Sequence, residues 1–305
     1  MSIRSKLTRL GPRFGLCLGA LALVSGAGDR TFAQDLEPMP ASLPADAPTG
    51  LPIGLDRAEV LDGWQTSDGT RMAAIRVTLD PGWKTYWRHP GDAGIPPSFS
   101  FRASSNLKDV KIYWPRPEVF TQSGTRSIGY KDQMILPIEL SPIDPTQPIR
   151  LDADLDLGIC HDICVPVSLE LDADLVGPGR RDPVISAALQ AQPQKVASRA
   201  SCQIEPIRDG MRVTARLPVS SLPSNNQPSN NQPAGQPPHQ VALFELPSQP
   251  VWVSDSRMSL ENGALVATAD FVPPDAAPFD LDPKDLRITV LDKTHAIEMD
   301  GCARM

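Results

Sequence analysis

The stretch that decides the fold is residues 149–175, which read IRLDADLDLGICHDICVPVSLELDADL. Apolar and polar residues alternate from Ile149 to Leu157 and again from Val165 to Leu175. Alternation with a period of two is typical of strands that bury one face, and a short connection between two such strands favours an antiparallel hairpin. Cys160 and Cys164 fall at the tip of this predicted hairpin, where two Cα atoms come close enough for a disulfide.

Short apolar stretches separated by glycine and proline predict an all-β protein. The 33 prolines in 305 residues argue against long helices, because proline breaks helix interiors. We predict an immunoglobulin-like β-sandwich over 51–178, followed by a second, smaller β-sandwich-like domain over 200–305. A short helix is expected in the linker 179–199, because Asp182 and Pro183 match the preferred N-cap and first helical residues.

The amino terminus predicts an export signal. Basic residues precede an apolar run from Phe14 to Val24, and small residues follow it, which is the pattern of a secretory signal peptide. We assign it to residues 1–33 and expect a periplasmic protein without stable membrane insertion after cleavage; an uncleaved anchor is the alternative. Residues 34–50 are expected to be a flexible lead. Residues 222–240 contain SNNQP twice and are expected to be a disordered insertion.

Composition excludes several classes of function. The formal net charge of −7 argues against nucleic acid as a partner. The sequence contains no glycine-rich phosphate loop, no HExxH motif and no GxSxG motif. We therefore predict no cofactor and no metal site.

Four cysteines follow the predicted signal peptide, and they allow three disulfide connectivities. Their spacing favours the pairs Cys160–Cys164 and Cys202–Cys302. Closing a loop of about 100 residues stabilises a fold by about 4.7 kcal/mol in the loop-entropy model, whereas a loop of about five residues contributes only about 2 kcal/mol. The long bridge is therefore predicted to be structural, and reversible redox chemistry is the better explanation for the short one.

Two polar residues between the short pair are candidates for modulating its reactivity. A protonated His161 would lower the pKa of a neighbouring thiol, whereas the Asp162 carboxylate would raise it. Such a loop suits a disulfide that is attacked by a partner thiolate better than a thiol that attacks first. The alternative is that His161 is simply a solvated loop residue.

Three segments, GICHDICVP (158–166), PGWKTYWRHPGDAG (81–94) and GYKDQMILPI (129–138), resemble the N-terminal periplasmic domain of DsbD-type thiol–disulfide interchange proteins and their copper-sensitivity-suppressor relatives. The resemblance implies an immunoglobulin-like sandwich whose disulfide is shielded by a cap loop. By position the cap would lie between Glu118 and Tyr130, with Phe120 as the covering aromatic, and Trp83 and Tyr86 would line the site. Plain core packing is the alternative for each aromatic side chain.

The chain also departs from that family. The best-known members have a longer gap between the two cysteines and continue into a membrane electron-transfer domain and a terminal thioredoxin domain. The expected partners are therefore separate proteins, either thioredoxin-like periplasmic proteins or a membrane electron-transfer protein. The family analogy also favours Cys164 as the sulfur attacked first.

Three functional hypotheses follow from the sequence. The first is a thiol–disulfide exchange module, acting as a thiol–disulfide oxidoreductase through Cys160 and Cys164. The second is a structural or adaptor β protein with two inert disulfides. The third is a periplasmic Cu(I)-binding protein that uses both thiolates and His161, since soft ligands suit that ion.

Overall fold

The first part of the chain folds as two β-sheets packed face to face. The structure, a computed structural model, describes residues 51–91, 94–122, 124–218, 240–261 and 264–305. One sheet has the strand order β1-β2-β8-β5, and the other has the order β10-β9-β3-β7-β6 with β4 paired to β9. The strands are β1 (Leu55–Gln65), β2 (Arg71–Leu79), β3 (Lys84–Tyr86), β4 (Ser98–Ser100), β5 (Leu107–Ile112), β6 (Glu118–Gln122), β7 (Thr125–Lys131), β8 (Gln133–Pro142), β9 (Ile149–Cys160) and β10 (Cys164–Leu175).

The core between these sheets follows the alternation seen in the sequence. On β9, Leu151, Leu155 and Leu157 are at most 2% exposed, while Asp154 and Asp156 between them are exposed. Burial of each such leucine contributes about 1.5–3 kcal/mol, and a shift of one residue in the register would place the aspartates in the core. The hairpin predicted from residues 149–175 is therefore confirmed.

The segment expected to hold the cap loop forms a β-hairpin made of β6 and β7. Val119 pairs with Ile128 and Phe120 with Ser127, and Gly124 takes a φ of 81° in the turn. Ile128 and Tyr130 on β7 are buried in the core. Two paired strands therefore make up most of this segment, and its role as a cap over the disulfide stays a prediction.

A single α-helix is described between the two sandwiches. Helix α1 (Pro183–Gln190) begins after Asp182, whose side chain accepts hydrogen bonds from the backbone amides of Val184 and Ile185. The cap satisfies amide groups that have no partner within the helix. Ile185 is fully buried and packs with Met72 of β2 and its neighbours. The helix therefore lies against the outer face of the first sandwich.

The remaining strands form a second β-sandwich. Its two sheets have the orders β11-β19-β18-β14 and β15-β17-β13-β12-β20, with β16 paired to β17. The predicted all-β fold of two sandwiches is confirmed, while β11 falls within the segment expected to be a linker. The strands are β11 (Gln194–Lys195), β12 (Ala200–Ile207), β13 (Gly210–Leu217), β14 (Val241–Glu245), β15 (Trp252–Val253), β16 (Arg257–Glu261), β17 (Ala264–Val272), β18 (Arg287–Leu291), β19 (Ala296–Asp300) and β20 (Cys302–Arg304).

One sheet of the second sandwich packs on both of its faces. Phe244 of β14 points into the second core, where its ring meets Phe271 edge-on at 6.3 Å between centroids. Its neighbours Val241 and Leu243 belong to the first core instead. Successive residues of a strand point to opposite faces, so β14 joins the two sandwiches through its apolar side chains.

Three predicted segments lie outside the described residues. They are the signal peptide (1–33), the lead (34–50) and the insertion 222–240 except for Gln240. Within the part of the chain that the structure describes, no helix is long and apolar enough to span a membrane.

Candidate functional site

The two central cysteines face each other at the end of the β9–β10 hairpin. The strands pair without interruption from Ile149 opposite Leu175 to Cys160 opposite Cys164. The Cα atoms of Cys160 and Cys164 are 4.2 Å apart, and the two residues form a disulfide. The predicted Cys160–Cys164 pair is thus present at the predicted hairpin tip.

The two sulfur-bearing residues differ in exposure. Cys160 is 5% exposed, because β9 is an inner strand and Cys160 pairs with Lys84 of β3 on its other side. Cys164 is exposed, because β10 is the edge strand of the sheet. Cys164 is therefore the more accessible of the two residues, and the order of attack stays a prediction.

Tyr86 brings a hydroxyl group to both sulfur atoms. Its Oη atom lies 2.8 Å from Cys160 Sγ and 3.1 Å from Cys164 Sγ. Neither sulfur of a disulfide carries a proton, so the tyrosine O–H is the donor. Burial raises the pKa of Tyr86, because the charged phenolate is disfavoured away from water. The hydroxyl therefore keeps its proton above the usual titration range of tyrosine.

The Tyr86 ring reaches the disulfide by crossing β9 at a glycine. A Cβ atom on Gly158 would lie 3.0 Å from Cε2 of Tyr86 and 2.8 Å from Cβ of Ile95. Glycine in a strand often marks a close approach of another group. The role of Gly158 and Ile95 in packing the tyrosine was missed in the sequence, although a glycine that interrupts an alternating strand is the signal that points to it.

His161 and Trp83 form a small cluster beside the hairpin tip. Their ring centroids are 5.9 Å apart, and a Cβ atom on Gly82 would lie 3.3 Å from the imidazole. Nδ1 of His161 is 2.9 Å from a carboxylate oxygen of Asp162; the His161 side chain is half exposed and that of Asp162 largely exposed. The structure thus brings Trp83 to the loop of the disulfide, while the modulating role of His161 and Asp162 stays a prediction.

Phe120 lies on β6, further from β9 in the strand order of the sheet. Its ring centroid is 5.2 Å from Nζ of Lys84, the residue whose backbone pairs with Cys160. A cation over an aromatic face is attracted to it, so the contact ties the β6–β7 hairpin to β3. The role of Phe120 as a cover for the disulfide stays a prediction.

The second disulfide has a different setting. Cys202 and Cys302 are bonded with Cα atoms 5.8 Å apart and are 1% and 4% exposed. They join β12 to β20, and the backbone of β12 pairs with β20 in parallel. The predicted pair is present, and its burial inside the second core suits a structural crosslink. Among the described residues, no group of three or more His, Cys, Asp or Glu side chains is arranged to hold a metal ion.

Comparison with known proteins gives two findings. Residues 57–175 match the family model described as thiol:disulfide interchange protein DsbD, N-terminal. The crystal structure of the N-terminal periplasmic domain of ScsB from Proteus mirabilis is similar to this chain, with a TM-score of 0.56 and 22% sequence identity over 81% of this chain and 91% of that one. A sequence search of curated proteins finds no match. The resemblance predicted from the sequence is confirmed, and the ScsB domain shows a shared fold.

Proposed function

We propose that this protein is a periplasmic thiol–disulfide exchange module that passes reducing equivalents through Cys160 and Cys164. The observation that carries the proposal is the disulfide at the hairpin tip, with one buried and one exposed cysteine and a tyrosine hydroxyl at both sulfurs. The match of residues 57–175 to the interchange family supports the same reaction.

The first step is attack by the thiolate of a reduced partner on Sγ of Cys164. The Cys160–Cys164 bond breaks, a mixed disulfide joins the partner to Cys164, and Cys160 leaves as a thiolate. The Tyr86 hydroxyl is 2.8 Å from that leaving sulfur and donates a hydrogen bond to it. Hydrogen bonds to a charged acceptor are stronger than those to a neutral one, so the tyrosine favours the step in which charge develops.

The second step completes the transfer of two electrons. The partner's other thiolate attacks the partner's own sulfur in the mixed disulfide, which releases Cys164 as a thiol and leaves the partner oxidised. The reduced module then reverses the sequence on a downstream disulfide: Cys164 attacks, and Cys160 resolves the mixed disulfide. Partners with a dithiol motif, such as thioredoxin-like periplasmic proteins or a membrane electron-transfer protein, suit this scheme.

Trapping of a mixed disulfide tests the function. We expect Cys160→Ala to accumulate a covalent complex with a thioredoxin-like protein, because Cys164 still attacks but the resolving thiol is gone. The matched control is Cys164→Ala, which should accumulate far less complex because the remaining sulfur is buried. Failure of both variants to trap a partner, together with a reduction potential for Cys160–Cys164 below about −300 mV, would establish the inert-disulfide alternative instead.

A further inference from the structure

Buried charges join the redox strand to the second sandwich. Arg88 donates hydrogen bonds to both carboxylate oxygens of Glu245, at 2.8 and 2.9 Å, and to Glu298 at 2.6 Å. The side chains are only 15%, 13% and 8% exposed. Glu245 and Glu298 lie on β14 and β19 of the second sandwich, whereas Arg88 follows β3 of the first. The guanidinium is thus held by two carboxylates of the other sandwich.

Stability alone is a weak reason for such a cluster. Removing charges from water costs several kcal/mol per ion, and apolar residues of similar volume often stabilise a protein as well or better. An ion pair with two fixed partners also defines a position, because the planar guanidinium donates to a carboxylate in only a few orientations.

Arg88 fixes the strand that carries Tyr86. Tyr86 lies two residues earlier, and Trp87 between them is fully buried, with its ring centroid 4.0 Å from the Arg88 guanidinium carbon. The backbone amide of Trp87 also donates to Ile128 of β7 at 3.0 Å. The segment is therefore held by Cys160 pairing with Lys84 at one end and by the second sandwich at the other.

A second ion pair reaches the β6–β7 hairpin. Nη1 of Arg126 is 3.8 Å from Asp255, which lies between β15 and β16 of the second sandwich. Arg126 pairs with Thr121 across this hairpin, next to Phe120. The segment after β3 and the β6–β7 hairpin are thus both connected to the second sandwich by charge.

We propose that Glu245 and Glu298 are positioning residues of the redox site: through Arg88 they hold the Tyr86 hydroxyl at the sulfurs, so that the second sandwich adjusts the reactivity of a disulfide carried by the first. This inference rests on the exchange function proposed for Cys160 and Cys164. When the two carboxylates lose their charge, the strand beyond Tyr86 loses its anchor. The hydroxyl then spends less time at the sulfur, and the thiol pKa of the reduced protein rises.

The test compares three proteins with the wild type: Tyr86→Phe, the double variant Glu245→Gln with Glu298→Gln, and all three changes together. A glutamine keeps the volume of glutamate but has a single acceptor oxygen, so the two-point grip on Arg88 is lost. The readout is the pH midpoint of thiolate formation, without any partner, in protein whose Cys160–Cys164 bridge is reduced while the buried Cys202–Cys302 bridge is kept. The midpoint is preferred to a rate, because thiolate nucleophilicity itself changes with pKa.

We expect Tyr86→Phe to raise the midpoint by about 1–2 units, and the glutamine double variant to raise it by at least half as much. The combined variant should match Tyr86→Phe alone, because residues that act through one another give non-additive effects. The control is Asp270→Asn, which breaks the two-point ion pair with Arg212 inside the second sandwich. It should lower the melting temperature and leave the midpoint unchanged.

Two results overturn the inference. One is a wild-type midpoint in the glutamine double variant while Tyr86→Phe shifts it; the other is an additive shift in the combined variant. If the double variant does not fold, Glu245→Gln alone, which leaves Glu298 on Arg88, gives the same comparison. Failure of Cys160→Ala to trap a partner would count against the exchange function. It would not affect the test of the positioning residues, because the midpoint is measured without a partner.

Discussion

Tyr86→Phe tests the chemistry of the site most directly. The change removes one oxygen atom and keeps the ring that packs across Gly158. In the oxidised protein this oxygen lies 2.8 and 3.1 Å from the two sulfurs. In the reduced protein we expect the same hydroxyl to donate to the Cys160 thiolate, since burial raises the pKa of Tyr86 and keeps it protonated.

The size of the effect follows from the strength of that hydrogen bond. A bond to a charged group contributes about 1.5–3 kcal/mol, and one pKa unit corresponds to about 1.36 kcal/mol. The thiol pKa should therefore rise by about 1–2 units in the variant. The hydrogen bond stabilises the thiolate and so the reduced state, which means that its loss lowers the reduction potential by about 30–65 mV for a two-electron couple.

The difference in reduction potential between the wild type and Tyr86→Phe should depend on pH. Where both thiols are protonated in both proteins, at a pH well below the lowered pKa, no thiolate receives the hydrogen bond and the two potentials should converge. Above the pKa of the variant the full difference should appear. Equilibration with glutathione at several pH values, with the fraction of the Cys160–Cys164 bridge counted by peptide mass spectrometry, measures both limits.

Tyr130→Phe is the matched control. Tyr130 lies on β7 of the same sheet, is buried, and donates its hydroxyl to the backbone oxygen of Pro115 at 2.9 Å. Its loss should lower the free energy of unfolding by about 0.5–1.5 kcal/mol without moving the redox potential. Equal potentials for Tyr86→Phe and wild type, or equal shifts in the two tyrosine variants, would refute the role assigned to the Tyr86 hydroxyl.

Cys202→Ser should lower the free energy of unfolding by about 2–5 kcal/mol, the usual cost of a lost native disulfide, and a denaturant titration measures this. A folded variant that no longer exchanges at Cys164 would contradict the division of roles between the two bridges. Gly158→Ala should raise the thiol pKa, as Tyr86→Phe does, because the new Cβ would lie 3.0 Å from the Tyr86 ring and displace it. Thiolate absorbance against pH measures this, and an unchanged midpoint would show that the position of the ring is not critical. Phe120→Ala should speed reduction of the bridge by glutathione if the ring shields it, and a wild-type rate would reject Phe120 as the cover.

The sequence predicted those features that depend on neighbours along the chain. Strict alternation from Ile149 to Leu157 encodes a strand with one buried face, because its period matches the pleat. Cys160 and Cys164 are held near each other by the hairpin itself, so their pairing needs no distant information. The strands of the β6–β7 hairpin were not predicted, because three consecutive residues of β7, Ile128, Gly129 and Tyr130, are buried and the alternation is weak there.

The tertiary structure decided which distant groups meet at the sulfurs. Tyr86 reaches Cys160 across 74 residues of sequence because β3 pairs with β9, and no local periodicity specifies which strands become neighbours in a sheet. Local sequence also does not specify that Cys164 is more exposed than Cys160, because this follows from the position of β10 at the edge of the sheet. Arg88 meets Glu245 and Glu298 across 157 and 210 residues. The chain alone therefore determined the hairpin and its two cysteines, whereas the packing of two sandwiches determined the tyrosine and the charges around them, because such contacts form only when separate strands are brought together.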